Sequence, residues 1–253
     1  MIHDVQRANM WKRISAGFLD MILLIMLISL LAVTLFEVFD YNSYVSTLND
    51  KREQYSAEYN VNFDISEEEL ANLEGEEEAR YLAALEALDA DKDFVYAYNM
   101  ATNMLLAVLA GSMFLGFLLL EFIVPLLFGN GQTIGKKIFS LALMRTDSVK
   151  LTNFALFVRS MLGKLTIESL IPAMLWVSGS IAPIGAMAPL VTLGILGIQA
   201  GLLVASRNRA CIHDMMAVTV VIDFSSQMIF DSTEDLTQYK KQLAAEEAQR
   251  QEY

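Results

Sequence analysis

Asp20 is a carboxylate inside the apolar run of residues 14–36, and its position calls for a chemical explanation. The run is long enough to cross a bilayer. An acid there costs roughly 2.5 to 3.5 kcal/mol on insertion scales, so it usually faces a protein interior or a wet cavity with a partner. Arg13 lies close to two helical turns earlier, about 10 Å of rise, so both side chains point to the same face. Asp20 could take up and release a proton or a cation.

Two more acids, Glu121 and Glu168, lie in apolar stretches, the second nearer an end. Glu121 precedes Pro125, which frees a backbone carbonyl, and such breaks beside an acid can form an ion site in transporters. Asp20 and Glu121 are therefore our candidates for an ion or proton path. The alternative is structural, because Asp20 could form a buried pair with Arg159 or another base that fixes the helix packing.

A second motif, Gly129 to Lys137, superficially resembles a phosphate-binding loop. The G-x-x-x-x-G-K-[ST] spacing would need glycine at position 130 and a hydroxyl residue at position 137, where the chain has asparagine and lysine. We interpret the segment as a tight turn with interfacial lysines near lipid phosphates.

His213-Asp214 could suggest a metal hydrolase, but the chain has only two histidines and no further ligand set. We favour structural pairing, in which Arg207, Arg209, His213 and Asp214 snorkel and form hydrogen bonds to lipid or neighbouring loops where the last span leaves the membrane. The single cysteine, Cys211, excludes a disulfide framework and is expected to be a reduced thiol. The sequence predicts no enzyme, no metal, no cofactor and no nucleic-acid partner.

Four membrane spans would position these residues in an all-α integral membrane protein. The chain is 55% hydrophobic, with apolar blocks at residues 14–36, 101–128 and 167–205. The third block is too long for one span, and Pro183, Gly185 and Pro189 divide it into spans near 167–184 and 189–205.

The charge distribution predicts the orientation. Basic residues lie at three places. Arg7, Lys12 and Arg13 precede or begin the first span, and Arg207 and Arg209 follow the fourth. Between the second and third spans lie Lys136, Lys137, Arg145, Lys150, Arg159 and Lys164. By the positive-inside rule these regions and both termini are cytoplasmic. Residues 37–99 carry 17 acids and 4 bases and are predicted to be extracytoplasmic. A signal peptide is disfavoured, because the first run exceeds the roughly 7 to 15 residues of a signal core.

The connecting segments also carry structural signals. The outer segment has a capping box at Ser66 and Glu69 before a leucine-rich helix, and a second helix is predicted ahead of it. On the inner side we predict strand, turn and strand over residues 138–152, another β run at 218–222, and an interfacial helix at 153–164. Small residues at 194, 197 and 201 are interpreted as internal bundle packing, with a homodimer as the alternative. The tail from Ser232 is predicted to be a polar helix capped by Asp235.

With these positions in place, the chain resembles the RDD family of bacterial membrane proteins, named for an arginine and two aspartates. The matching words are Arg13-x-x-Ala16-x-x-x-Asp20, Gly131 to Lys137 including Gly135 and Lys136, Arg159, and Arg209 with His213-Asp214-Met215-Met216-Ala217. By this resemblance Arg13, Asp20 and Asp214 are the name-giving residues. The acidic segment, the extra apolar length and the tail depart from the compact family pattern. Some members resemble cation/proton antiporters.

The sequence thus divides into residues 1–36 (inner terminus and first span), 37–99 (acidic outer segment), 100–223 (family core) and 224–253 (tail). The first functional hypothesis is transport of a proton or monovalent cation, in the bacterial inner membrane, by a homo-oligomer or with a membrane-protein partner. The second is a non-catalytic adaptor or assembly protein that binds partners through the acidic segment and the tail.

Overall fold

The computed structural model describes residues 8–178, 186–206 and 208–251. The predicted positions Arg7, Pro183, Gly185 and Arg207 lie outside these residues. The chain divides into two compact units. We call Met1–Leu30 with Ser112–Tyr253 the core unit, and Leu31–Gly111 the acidic unit.

The chain is mostly helical, with one small sheet. In chain order the helices are α1 (Met10–Val38), α2 (Tyr41–Tyr59), α3 (Glu67–Ala71), α4 (Glu76–Ala90), α5 (Lys92–Phe117), α6 (Val124–Phe128), α7 (Ile134–Ile138), α8 (Asn153–Phe157), α9 (Ile171–Ser178), α10 (Ala188–Ala205), α11 (Ile212–Met216) and α12 (Thr233–Gln251). Two π-helical segments, Leu118–Ile123 and Val158–Leu170, continue α5 and α8. The strands are β1 (Leu141–Arg145) and β2 (Thr219–Asp223).

Three helical stretches in the described part of the chain are long and apolar enough to cross a membrane. They are Met10–Val38, Lys92–Phe128 and Ala188–Ala205. On α1, the side chains of Phe18, Met26 and Leu30 are exposed, as expected of a helix that faces lipid. A helical membrane protein is therefore confirmed, with three candidate spans among the described residues, and the fourth predicted span is not confirmed.

The predicted third span, residues 167–184, falls on the end of the second π-helical segment and on α9, and its last residues lie beyond Ser178, where the first described range stops. The predicted fourth span corresponds to α10, which has a proline in its first turn. Backbone N–H groups in the first turn have no helical acceptor, so the N–H that proline lacks is not needed there.

The sheet pairs strands that are far apart in sequence. β1 and β2 are antiparallel, with Leu143 opposite Val221, and Met144 reaches Lys150 only through an isolated bridge. The first strand predicted within residues 138–152 is confirmed as β1 and the predicted run at 218–222 as β2, but the second strand predicted within residues 138–152 is reduced to isolated bridges. β1 pairs with β2 instead of with that segment. The reason is burial, since Leu141 to Met144 are fully buried and one face packs on Ala8 and Ala16. A short local hairpin could not cover both faces, whereas β2 brings its own apolar residues.

The segment predicted as an interfacial helix over residues 153–164 buries one face in the core unit. Its second half belongs to the π-helical segment, in which Arg159, Ser160 and Met161 are buried. A Cβ added at Gly163 would lie 2.6 Å from His213 Cβ, so α11 packs directly on this glycine. Phe154, Phe157 and Leu162 are exposed, and contact of these side chains with the membrane interface stays a prediction.

The acidic unit is built from α2 and α4, which pack together, with α3 between them. The capping box of Ser66 and Glu69 is confirmed, but it starts a helix of only five residues. Gly75 then adopts a φ of 62°, where glycine is favoured, so the predicted single leucine-rich helix is two helices. The buried residues of α4 are Tyr81, Ala84 and Leu88.

Asp91 ties α2 to the start of α5 within the acidic unit. Its carboxylate accepts a hydrogen bond from Lys51 Nζ at 2.7 Å and from the Phe94 N–H at 3.0 Å. These contacts hold the pKa of Asp91 at about 2, with the Lys51 hydrogen bond as the largest cause. Because the pKa in the folded chain is below the ordinary 3.8, this contribution to stability is complete above about pH 4 and is lost as the pH falls toward 2.

We expect amide protection in the first turn of α5 to fall as the full-length protein is acidified from about pH 5 to 2. Asp91→Asn should lack this pH dependence, because the amide does not titrate. Protection factors from hydrogen exchange, corrected for intrinsic rates, measure the effect. Asp93→Asn is the control, because that carboxylate is 78% exposed and lies farther from Lys51 Nζ than the Asp91 carboxylate does, at 3.4 Å. An equal acid loss in wild type and Asp91→Asn would contradict the assignment.

The remaining predictions for α10 and the tail have opposite outcomes. A Cβ added at Gly194, Gly197 or Gly201 would meet nothing within 4 Å, so internal packing does not explain them in the described structure and that interpretation was wrong. The tail helix α12 is confirmed, and its Asp235 N–H donates to Ser232 Oγ at 3.1 Å.

Candidate functional site

The core unit contains a cavity of about 350 Å³ at which most of the candidate residues meet. Its wall comes from α1, α5, the two π-helical segments, α7, α10, α11 and both strands. We call it the charged cavity, because eight acidic, basic or histidine side chains line it: Arg13, Asp20, Glu121, Lys136, Arg159, Lys164, Glu168 and His213. Both candidate path residues, Asp20 and Glu121, are in this set.

Asp20 holds α1 against the start of α7. Its carboxylate accepts hydrogen bonds from the Thr133 hydroxyl and, at 2.7 Å, from the Gly135 N–H. Thr133 is also the N-cap of α7, with its hydroxyl oxygen accepting from the Lys136 N–H. Arg159, the base named first as a partner for Asp20, binds Asp214 instead, whereas the predicted alternative of another base is met by Lys136, whose Nζ lies 3.8 Å from Asp20 Oδ2. In the glycine-rich segment that resembled a phosphate loop, the Gly135 N–H donates to Asp20 instead of to a phosphate. Lys136 of the same segment is buried and does not face lipid.

Gly135 allows α1 and α7 to approach this closely. An added Cβ would lie 2.3 Å from the Ala16 carbonyl oxygen and 2.9 Å from Asp20 Oδ1. We expect Gly135→Ala to destabilise the protein by about 1 to 3 kcal/mol, because backbone has to shift to relieve the overlap. Thermal unfolding in detergent measures it.

Gly194→Ala is the matched control, since its Cβ would meet open space. We expect it to change stability by less than about 1 kcal/mol. If Gly135→Ala unfolds at the wild-type temperature, α1 and α7 do not approach as described.

Glu121 lies in the first π-helical segment, where the predicted break occurs. Proline lacks an N–H, so Pro125 leaves the carbonyl four residues earlier without its helical donor. That carbonyl belongs to Glu121 and accepts from Ser160 Oγ at 2.6 Å. The Glu121 carboxylate binds Lys164 Nζ, also at 2.6 Å. Both polar groups of this residue thus join the two π-helical segments, and Glu121 is 4% exposed.

Asp214 lies directly behind the cavity wall and is fully buried. Arg159 binds its Oδ1 through Nε at 2.9 Å and through a terminal nitrogen at 2.8 Å. Arg13 approaches Oδ2 at 3.4 Å, and the Cys211 N–H donates to the same oxygen at 3.2 Å. Burial alone would raise the pKa of Asp214, but the charge of Arg159, with those of His213 and Arg13, holds it well below the ordinary range.

His213 is also buried, and Glu168 is its partner. The ring Nδ1 lies 2.9 Å from both Glu168 oxygens, and the backbone N–H donates to Oε1 at 3.0 Å. Burial lowers the pKa of His213, against the opposing effects of Asp214 and Glu168. The predicted structural pairing of His213 and Asp214 is therefore confirmed, whereas the predicted snorkelling of these two side chains to lipid was wrong, because both are buried. Arg209 does not line the charged cavity and adopts a φ of 49° in the turn before α11.

Cys211, His213 and Asp214 bring three potential metal ligands within 4.8 Å of one another. Two guanidinium groups already bind the Asp214 carboxylate, which leaves positive charge where a metal cation would sit. The donor set therefore does not fit a metal centre.

Lys136 is the cavity's basic group closest to Asp20, with 3.8 Å between Nζ and Oδ2. Burial lowers its pKa to about 7, and the charges of Lys164 and Arg159 act in the same direction. Asp20 and Glu121 oppose this shift without cancelling it. The cavity therefore places an amine whose pKa is lowered by burial next to a carboxylate.

Several of these contacts were not predicted from the sequence. Thr133, Ser160 and Lys164 were not singled out, although Thr133 precedes a short helix as an N-cap residue. The pairing of Glu168 with His213 joins residues 45 positions apart, and local spacing carries no signal for it.

Comparison with known proteins gives one match. The RDD family model matches residues 7–218. No curated protein and no solved structure matched the chain. The matched range includes all eight acidic, basic or histidine residues that line the charged cavity.

Proposed function

The chain belongs to the RDD family of membrane proteins, and on this basis we propose that it exchanges a proton for a monovalent cation at the charged cavity. The observation that carries the proposal is the pair of Asp20 and Lys136, which face one cavity with 3.8 Å between their charged atoms. We further propose that it is not an enzyme and that it resides in the bacterial inner membrane with both termini in the cytoplasm.

The pair offers a simple exchange. While Lys136 is protonated, its ammonium lies beside the Asp20 carboxylate. When Lys136 loses its proton, one positive charge leaves the cavity. The Asp20 carboxylate then faces the cavity without the ammonium of Lys136 beside it. A monovalent cation can then take the vacated position, because a buried carboxylate is unfavourable without a counter-charge. One proton leaves for each cation that binds, so the cavity keeps the same net charge.

Glu121 has a supporting part in this proposal. Its carboxylate binds Lys164 and its carbonyl binds Ser160, so it is held in place on the opposite wall. Its negative charge helps to balance the bases around Lys136. With both termini in the cytoplasm, the three candidate spans of the described residues need a fourth crossing, which we propose near residues 167–184. Four crossings leave little room for two alternating halves, and we therefore propose that exchange requires a homo-oligomer or a membrane-protein partner.

The direct test uses proteoliposomes that contain a trapped pH indicator. Sodium or potassium added outside should raise the internal pH, because protons leave as cations enter. Protein-free liposomes from the same lipid are the control. Wild-type protein that is folded and incorporated, but gives the same trace as protein-free liposomes with either cation, would contradict exchange by the chain alone.

The second candidate is an adaptor that binds other proteins, and one observation favours it. Residues Leu31–Gly111 form a compact unit with its own buried residues, more than a connection between two spans needs. In that case the charged cavity only stabilises the fold. Removing the charge of Asp20 then changes stability and leaves partner binding intact.

A further inference from the structure

We infer that the charged cavity also binds the anionic headgroup of a membrane lipid, through a phosphate or carboxylate group held by Arg13 and Arg159. This inference does not depend on proton and cation exchange. It rests on four features of the cavity. They are its size, a local excess of positive charge at Arg13, unused N–H donors on the Arg13 guanidinium, and apolar side chains in the wall.

The cavity is far larger than a proton or a bare cation requires. Its volume of about 350 Å³ corresponds to roughly ten water molecules at the density of the liquid. It also falls within the range of about 300 to 1,000 Å³ that is usual for sites that bind organic ligands. A polar group with part of an attached chain fits this space.

Positive charge exceeds negative charge where Arg13 and Arg159 meet. Both guanidinium groups lie on the single carboxylate of Asp214. Arg159 already neutralises that carboxylate with two contacts of 2.8 and 2.9 Å, whereas Arg13 has one contact at 3.4 Å. Arg13 therefore contributes a nearly complete positive charge to the cavity wall.

Hydrogen-bond donors are also in excess at this point. A guanidinium has five N–H groups. Among the described residues, Arg13 uses one of them, at 3.4 Å to Asp214. The neighbouring acids on the wall are already engaged, Glu121 by Lys164 and Glu168 by His213. An incoming phosphate or carboxylate would supply the acceptors that Arg13 lacks, and such charge-assisted pairs are strong.

The rest of the wall is apolar and suits an acyl chain. Met21 and Leu24 of α1, with Phe117 and Leu203, add apolar side chains to the cavity wall. Arg13 and Leu24 lie about 16 Å apart along the axis of α1, and we call the part of the wall at Arg13 the charged end. A site with both an arginine and apolar side chains matches a headgroup joined to a hydrocarbon chain better than a soluble anion.

The charged end also lies at the expected depth for a headgroup. Trp11, two residues before Arg13, is 76% exposed, and tryptophan side chains prefer the membrane interface. Lys12 is half exposed and pairs with Asp223. Basic pockets between membrane helices on the cytoplasmic side are known binding sites for anionic headgroups.

Native mass spectrometry of the detergent-purified protein tests the inference, with phosphatidylglycerol and phosphatidylcholine as the probes. We expect the wild type to retain phosphatidylglycerol at least about tenfold more tightly than phosphatidylcholine, which corresponds to about 1.4 kcal/mol. Arg13→Gln should remove this preference. Since Asp214 keeps Arg159, the variant should still fold.

A second variant tests the cavity without removing a charge. Gly17 lines the cavity, and an added Cβ there would meet nothing within 4 Å. Gly17→Leu should therefore fill the space without strain and weaken phosphatidylglycerol binding about tenfold or more. Gly194→Leu, also in open space but outside the cavity, is the matched control and should bind as the wild type does.

Inorganic phosphate distinguishes the source of the anionic group. If millimolar phosphate displaces phosphatidylglycerol from the wild type and its effect is lost in Arg13→Gln, the anion site stands and its ligand is soluble. If phosphate does not compete, the site requires the lipid chain. Equal retention of both lipids by the wild type, or wild-type binding by a folded Gly17→Leu variant, would overturn the inference.

Discussion

Asp214→Ala should lower the free energy of unfolding by about 3 to 5 kcal/mol, because it leaves the buried guanidinium of Arg159 without its carboxylate. Arg159 is 2% exposed and cannot turn to water. Arg13 also loses its only described carboxylate contact. We expect most of the variant to be aggregated after extraction, or to unfold at a much lower temperature than the wild type in the same detergent.

A double variant separates this cause from simple loss of packing. Asp214→Leu with Arg159→Met replaces the buried pair by apolar residues of similar volume, a change that is often neutral or stabilising. It should therefore recover much of the stability that Asp214→Ala loses. Lys12→Ala is the surface control, because its pair with Asp223 is partly exposed and is worth less than about 1 kcal/mol. An Asp214→Ala variant that is as stable as Lys12→Ala would show that the pair of Arg159 and Asp214 is not buried as described.

Asp20→Asn should reduce cation-driven proton movement to the level of protein-free liposomes while the protein stays folded. The asparagine carbonyl can accept from the Gly135 N–H, and its amide can donate to the Thr133 hydroxyl, so both contacts to α7 remain. The negative charge beside Lys136 is lost, and with it the counter-charge for an entering cation.

Two controls accompany this variant. Asp231→Asn removes a carboxylate that is 86% exposed and lies outside the charged cavity, so its flux should equal that of the wild type. The thermal unfolding of Asp20→Asn should stay close to the wild-type curve. Under the adaptor hypothesis the result reverses, because the substitution then affects stability and there is no flux to lose.

The elements that depend on local spacing could be predicted from the sequence. The apolar runs of α1 and α10 are read from composition alone, and α12 follows from a capping residue before an amphipathic stretch. The shared orientation of Arg13 and Asp20 follows from the helical period, and both line the charged cavity. The effect of Pro125 on a backbone carbonyl is likewise a local rule.

The partners across the fold could not be predicted, because they depend on which distant segments meet. Asp20 was predicted to have a basic partner, and Lys136 lies 3.8 Å from it, but its two hydrogen-bond donors, an N–H and a hydroxyl 115 and 113 residues away, were not predicted. The π-helical segment at Val158–Leu170 has an amphipathic pattern that resembles an interfacial helix. The contact of Gly163 with His213 shows that its polar face is buried. A buried pair of Arg159 was considered from the sequence, but its partner is Asp214 and not Asp20.

The measurement that tests the central claim most directly is proton movement driven by sodium or potassium in proteoliposomes. Wild type, Asp20→Asn and Asp231→Asn are compared at matched incorporation. We expect an internal alkaline shift with the wild type and with Asp231→Asn, and none with Asp20→Asn. Equal flux from folded Asp20→Asn and wild-type protein would contradict the claim that Asp20 binds the exchanged ion.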